Sequence, residues 1–197
     1  ILFSSSIISN TANISNAITI NGSNQFTTGA SNILTGVNNA AGTLILNGGE
    51  LAQAVTGAGN TQITGNVTNS STIANNVSIL STGTLTSDIS DLTGSVTNAG
   101  SFLMSGNLNK DIAGVGTTTL QTDTNISSDR AITGTLALNN HTIDMQQQAP
   151  ASTTYNTLSV GNLTGTGTLK IDADMANNAG VATASDKIHL TNGASSN

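Results

Sequence analysis

Gly83-Thr84-Leu85, Gly100-Ser101-Phe102, Gly116-Thr117-Thr118, Gly134-Thr135-Leu136 and Gly167-Thr168-Leu169 repeat one short step: a glycine, a polar residue and, in all but one case, an apolar residue. The first four are almost evenly spaced, and the interval from Gly134 to Gly167 is close to two such periods. Upstream the same signal stands at Gly22-Ser23, Gly42-Thr43-Leu44 and Gly59-Asn60, with a looser interval before Gly83. A unit this short cannot bury a core of its own, so the recurrence predicts units that stack and share one.

The segments after the glycines have the period of a strand. Apolar residues alternate at Ile18 and Ile20, Leu44 and Leu46, Val77 and Ile79, Phe102 and Met104, Leu136 and Leu138, then Leu169, Ile171, Ala173 and Met175. Alternation places every second side chain on one face, giving each segment a buried and a wet side. Clusters such as Asn47-Gly48-Gly49 and Asn139-Asn140 supply corners with positive φ. The fold class expected is all-β, a single right-handed parallel β-helix of roughly nine to ten rungs rising about 4.8 Å each. Leu85, Phe102, Leu136 and Leu169 are expected to point inward in one or two stacked rows. A β-sandwich would call for hairpin turns every ~8–12 residues and bulky aromatic core residues. Aromatics make up only 2% of this chain, and Trp is absent.

Charged residues are only 7% of the chain, against roughly 25% in ordinary soluble domains. Apolar runs such as Ile7-Ile8 and Phe102-Leu103-Met104 are far too short to span a bilayer. The net charge of −6 leaves no basic surface for nucleic acid or anionic lipid. Without cysteine there is no disulfide scaffold, thiol catalysis or thiolate metal site. The opening Ile1-Leu2-Phe3, with neither Met nor a signal-like core, leads us to expect an excerpt from a longer chain.

The C-terminal stretch Tyr155-Asn156-Thr157-Leu158-Ser159-Val160-Gly161-Asn162-Leu163-Thr164-Gly165-Thr166-Gly167-Thr168-Leu169-Lys170-Ile171-Asp172-Ala173-Asp174 is followed by Ser185-Asp186-Lys187-Ile188-His189-Leu190. It resembles the last rungs of bacterial autotransporter passengers of the pertactin type, where a Leu-x-Gly-x-Gly-Thr-apolar strand, an acidic turn and a Ser-Asp-Lys-apolar-x-apolar strand form the folding-promoting end of a β-helix. The resemblance covers Tyr155 to Leu190. It implies a stem of rungs over 1–154 and a folding module over 155–197, continuous with the same solenoid. It further implies a passenger at the bacterial cell surface or secreted, with its membrane barrel outside this segment and no membrane insertion by the segment itself. The expected role is a non-enzymatic stalk and binding surface for host or bacterial surface molecules, protein or glycan, or for self-association. The residues alone make Leu158, Val160 and Leu163 one apolar row and Leu169, Ile171, Ala173 and Met175 another. This is the densest alternation in the chain, and so the place where a solenoid stabilised by neighbour contacts would nucleate.

Candidate chemistry is sparse. Asp88 and Asp91 lie in one Ser-Asp-Ile-Ser-Asp run, but glycosidic cleavage requires two carboxyl groups held roughly 5 to 9.5 Å apart in a cleft, and a solvated turn is the expected setting. Asp172 and Asp174 would face one way on a strand, yet calcium requires six to eight oxygens. Gly48-Gly49-Glu50 does not continue into a calcium-binding nonapeptide. His141 follows a turn with Asp144 as its nearby carboxylate, and His189 alternates outward between Ile188 and Leu190. Gly165-Thr166-Gly167 is a fragment of a dinucleotide fingerprint with no helix after it, and Lys110 and Arg130 are lone cations. Asn66-Val67-Thr68, Asn76-Val77-Ser78 and Asn162-Leu163-Thr164 fit Asn-x-Ser/Thr, but asparagines at rung corners are expected to satisfy backbone groups. No catalytic, cofactor or metal residue is therefore assigned. Two alternatives remain: a β-helix carbohydrate-active enzyme, which needs a cleft of converging acids and bases, and a Thr/Ser-array binding solenoid, which needs Thr-x-Thr in one register.

Overall fold

A computed structural model describes residues 2–3, 7–146, 155–173 and 185–192. The alternation in the sequence is matched by burial: Leu44 and Leu46, Val77 and Ile79, and Phe102 and Met104 are buried, while the residues between them are not. The strands pair in parallel, each lying against the one a turn earlier and the one a turn later. The result is a β-solenoid of about eight turns. Its strands form a four-stranded sheet, a fifteen-stranded sheet and a three-stranded sheet. Consecutive strands such as Val96–Asn98 and Ser101–Ser105 both belong to the large sheet, which therefore wraps two sides of the coil. No α-helix occurs among the described residues; two 3-10 turns, Ala30–Asn32 and Ile89–Asp91, stand at corners.

Two long inward rows dominate the core. One runs Ile8, Phe26, Leu44, Thr61, Val77, Val96, Ile112, Ile132, Val160 and Leu190, each directly opposite the next. The other runs Val67, Leu85, Phe102, Thr118, Leu136 and Leu163. The two threonines in these rows are fully buried, and each has an asparagine beside it. Thr61 Oγ1 donates to Asn75 Oδ1 at 2.8 Å, and Asn98 Nδ2 donates to Thr118 Oγ1 at 3.4 Å.

The glycine of the repeated step is explained by a close approach. A Cβ on Gly100 would lie 2.4 Å from the carbonyl oxygen of Gly83, on Gly116 2.5 Å from that of Gly100, on Gly134 2.2 Å from that of Gly116, and on Gly161 2.5 Å from that of Gly134. The glycines therefore stack corner upon corner, each beneath the backbone of the turn before, and any side chain would collide with that backbone.

Two expectations are corrected by this register. Leu136 is followed in its row by Leu163, so one enlarged turn runs from Gly134 to Gly161, and Gly167 stands one side further along the coil instead of two ordinary turns on. The next turn is also long, pairing Val160 with Leu190. These two turns absorb the residues that would have made a ninth and a tenth rung. Leu169 joins the three-stranded sheet, opposite Ile143, where it is 41% exposed, and Ile171 is 46% exposed. Leu85, Phe102 and Leu136 are buried as expected; Leu169 is not, because no described strand covers the outer edge of Thr168–Lys170. Met175 and Asp174 lie outside the described residues.

The coil also contains an internal repeat that its short period conceals. Ile18 to Ala40 corresponds to Val77 to Ala99 at a constant offset, and after small length changes Leu51 to Asn60 corresponds to Leu108 to Thr117. Each copy carries one of the two 3-10 turns at the equivalent place. Backbone detail agrees: Gly57 and Gly114 have φ of 97° and 102°, and their Cβ positions would strike the carbonyls of Asn39 and Asn98 at 2.3 and 2.2 Å. Ile18–Ile20 lies in the four-stranded sheet but its counterpart Asn76–Ile79 lies in the large one. The second copy is thus displaced by whole turns plus one side of the coil.

Candidate functional site

Side-chain acceptors at the corners take backbone N–H groups from the following turn. Asn76 Oδ1 accepts from Ser95 N at 3.2 Å, Asp111 Oδ1 from Ala131 N at 2.9 Å, Asp123 Oδ1 from Thr142 N at 2.8 Å and Asp129 Oδ1 from Thr157 N at 2.7 Å. A strand beginning at a corner has an N–H with no ladder partner, and a carboxylate or amide from the turn below is a strong acceptor for it. The buried asparagines span turns likewise, Asn39 Nδ2 donating to Asn60 O at 2.9 Å and Asn98 Nδ2 to Thr117 O at 3.0 Å. They bridge turn to turn and do not stack on one another.

This device culminates at Asp186, which is only 3% exposed. Its Oδ1 accepts from Asn156 N and its Oδ2 from Asp172 N, both at 2.7 Å, while its own N–H donates to Asp172 O at 2.9 Å. Asn156 in turn reaches the preceding turn through Nδ2 to Ile126 O at 3.4 Å. One carboxylate therefore ties the end of the enlarged turn to the last described strand, Lys187–Leu190. The Ser-Asp-Lys motif contains Asp186 but gives no hint of this role, since its partners are 14 and 30 positions away.

Asp88 caps the second 3-10 turn, its Oδ1 accepting from Ser90 N at 2.8 Å and Ser90 Oγ at 2.7 Å. Asp172 is held through its backbone by Asp186. His141 does meet a carboxylate, but it is Asp123, with Nδ1 3.4 Å from Oδ1; Asp144 instead faces Lys170, with Nζ 3.4 Å from Oδ2. The hydrogen bond from Thr142, helped by His141, holds the Asp123 carboxyl below its ordinary range. His189 is exposed, as the alternation implied. Arg130 donates to the carbonyls of Leu108 and Asp129 at 3.3 and 2.7 Å. Gly165 takes a φ of 79° in the corner before Thr168–Lys170. Among the described residues no three His, Asp or Glu converge on a metal-sized site, and no helix is long and apolar enough to cross a membrane.

One surface recess gathers polar groups. It lies beside the second 3-10 turn and is lined by Ser90, Thr93, Ser95, Asn109, Lys110 and Asp111. Lys110 Nζ donates to Gly94 O at 3.4 Å, and partial burial pushes its ammonium pKa down.

Residues 133–197 match the Pertactin family model. Neither the curated proteins nor the solved structures gave a match. The family match at the C-terminal end, together with the β-solenoid, fits a fragment of a pertactin-type autotransporter passenger.

Proposed function

We propose that this passenger-like solenoid acts as a non-enzymatic, surface-displayed stalk that carries a binding surface, and that its C-terminal turns promote folding of the rest. The observation that carries the reading is the position of the family match: it covers the turns that Asp186 ties together, at the end of a coil whose corners are otherwise repetitive. Passengers of the family are generally without catalytic activity. The capping duties of Asp88, Asp111, Asp123, Asp129 and Asp186 favour the same view, since carboxylates engaged by backbone N–H groups at separate corners do not converge on one substrate. The family likeness favours a secreted or surface-exposed location.

The test is binding of the labelled chain to bacterial and host cell surfaces, with sedimentation to detect self-association. Saturable binding or concentration-dependent association supports the reading. Their joint absence, or turnover of a polysaccharide that is lost in Asp88→Asn or Asp91→Asn, overturns it.

A further inference from the structure

The recess at the second 3-10 turn is an open groove of about 640 Å³. Its three hydroxyls already donate to the framework: Ser90 Oγ to Asp88 Oδ1 at 2.7 Å, Thr93 Oγ1 to Ala74 O at 3.3 Å and Ser95 Oγ to Asn76 Oδ1 at 2.8 Å. A hydroxyl has one proton and two lone pairs, so each is left as an acceptor. Asp111 adds a carboxylate with one oxygen engaged by Ala131 N. Against these stand the Lys110 ammonium, with three protons and one framework bond, and the exposed Asn109 amide. The groove therefore seeks a ligand that supplies several donors and offers some acceptors, without net negative charge. Sulfate and phosphate carry acceptors and charge, which Asp111 and the hydroxyl oxygens would repel. An apolar peptide side chain would take water from the Lys110 ammonium and the Asp111 carboxylate without replacing those hydrogen bonds.

The internal repeat supplies an independent comparison. The first 3-10 turn has a groove at the equivalent place, of about 260 Å³, lined by Ser31, Leu34, Glu50, Ala52 and Gln53. Ser31 corresponds to Ser90, Leu34 to Thr93, Ala52 to Asn109 and Gln53 to Lys110. The scaffold is the same, but three lining positions that offer Leu, Ala and Gln in the first groove offer Thr, Asn and Lys in the second. Leu34 is 48% exposed there, so the first groove keeps an apolar lip that the second lacks.

We infer that the groove formed by Ser90, Thr93, Ser95, Asn109, Lys110 and Asp111 binds a neutral saccharide through its hydroxyl groups, and that the equivalent groove at Ser31 does not. This rests on the reading of the chain as a binding surface and names the ligand class of one site on it.

The experiment is amide chemical-shift mapping of the whole chain titrated with maltotriose, cellotriose and triacetylchitotriose, and separately with sodium sulfate. At least one sugar is expected to shift the amides of 90–95 and 109–111 and to leave those of 31–34 and 50–53 in place. Lys110→Gln, which puts the first groove's residue into the second, should weaken that binding by about tenfold, the loss expected for one charged hydrogen bond. Thr93→Leu should weaken it independently should Lys110→Gln fail to fold. No shift with any of the three sugars, equal shifts at both grooves, or shifts with sulfate alone overturn the inference. Failure of cell-surface binding with the sugar shifts intact would count against the wider reading only. Cell binding that persists unchanged in a Lys110→Gln chain whose sugar binding is weakened would leave that reading standing and overturn this groove as its site.

Discussion

Gly116 shows how a single residue fixes the coil. It needs no unusual φ; it is glycine because the Gly100 carbonyl and the Asn98 Oδ1 would lie 2.5 and 2.7 Å from a Cβ. Gly116→Ala must push apart two backbones, and overpacking of this kind costs about 1–3 kcal/mol, measurable as a lower urea midpoint with unchanged slope. Asp186→Ala should cost more, on the order of 3 kcal/mol, because the N–H groups of Asn156 and Asp172 both lose the carboxylate that accepts them. Asp186→Asn, keeping one acceptor oxygen, should fall between it and the parent chain in the same measurement. Asp123 gives a pH effect whose sign follows from its depressed folded-state pKa. Its contribution is present above the unfolded value of about 3.9 and disappears as pH falls through the lower folded value. As pH falls below about 4 towards that folded value, Asp123→Asn should therefore lose melting temperature less steeply than the parent chain. Identical profiles would remove the residue from the account.

At the scale of the element, register decides which leucines matter. Phe102 is fully buried between Leu85 and Thr118, so Phe102→Ala should cost about 3–5 kcal/mol. Leu169→Ala, at the partly uncovered edge of the three-stranded sheet, should cost well under half of that, and equal losses in chemical denaturation would contradict the register. The two copies of the internal repeat also differ in one instructive corner. Asn98 Oδ1 accepts from Gly100 N at 3.0 Å, whereas Asn39 Oδ1 is buried with no hydrogen-bond partner among the described residues. The extra alanine in Asn39-Ala40-Ala41-Gly42 carries the glycine N–H one residue further along the chain, and the N–H groups of Ala40 and Ala41 turn to Ile20 O instead.

Across the whole molecule, each turn touches only its neighbours, so stability should be distributed and folding directional. The most extensive pairing between two strands is at the C-terminal end, where Arg130–Ala137 and Thr157–Thr164 share six register pairs, in two runs separated by a bulge. Leu158 and Val160 are fully buried there, and they are better placed than Leu169 and Ile171 for the nucleating role expected of this end. Val160→Ala should lower amide-exchange protection as far away as the turns around Ile18 and Phe26, while Ile18→Ala should stay local. Amides near Ile18 that outlast those at 158–164 would place the nucleus at the other end.

The sequence alone determined the class of fold, because a recurring glycine and a two-residue apolar period each have one physical meaning: a corner under close backbone approach, and a strand with one buried face. It also determined that the C-terminal stretch is the distinctive part of the chain. It could not show that a single turn takes up the chain from Gly134 to Gly161, since a period does not reveal how much chain a corner can loop out. Nor could it show that Leu169 stands at an edge, that His141 meets Asp123 and not Asp144, or that Asp186 joins three segments. Those depend on which residues the stacking brings opposite one another, typically 16 to 30 positions apart. Composition is blind to that distance, and only the tertiary register decides it.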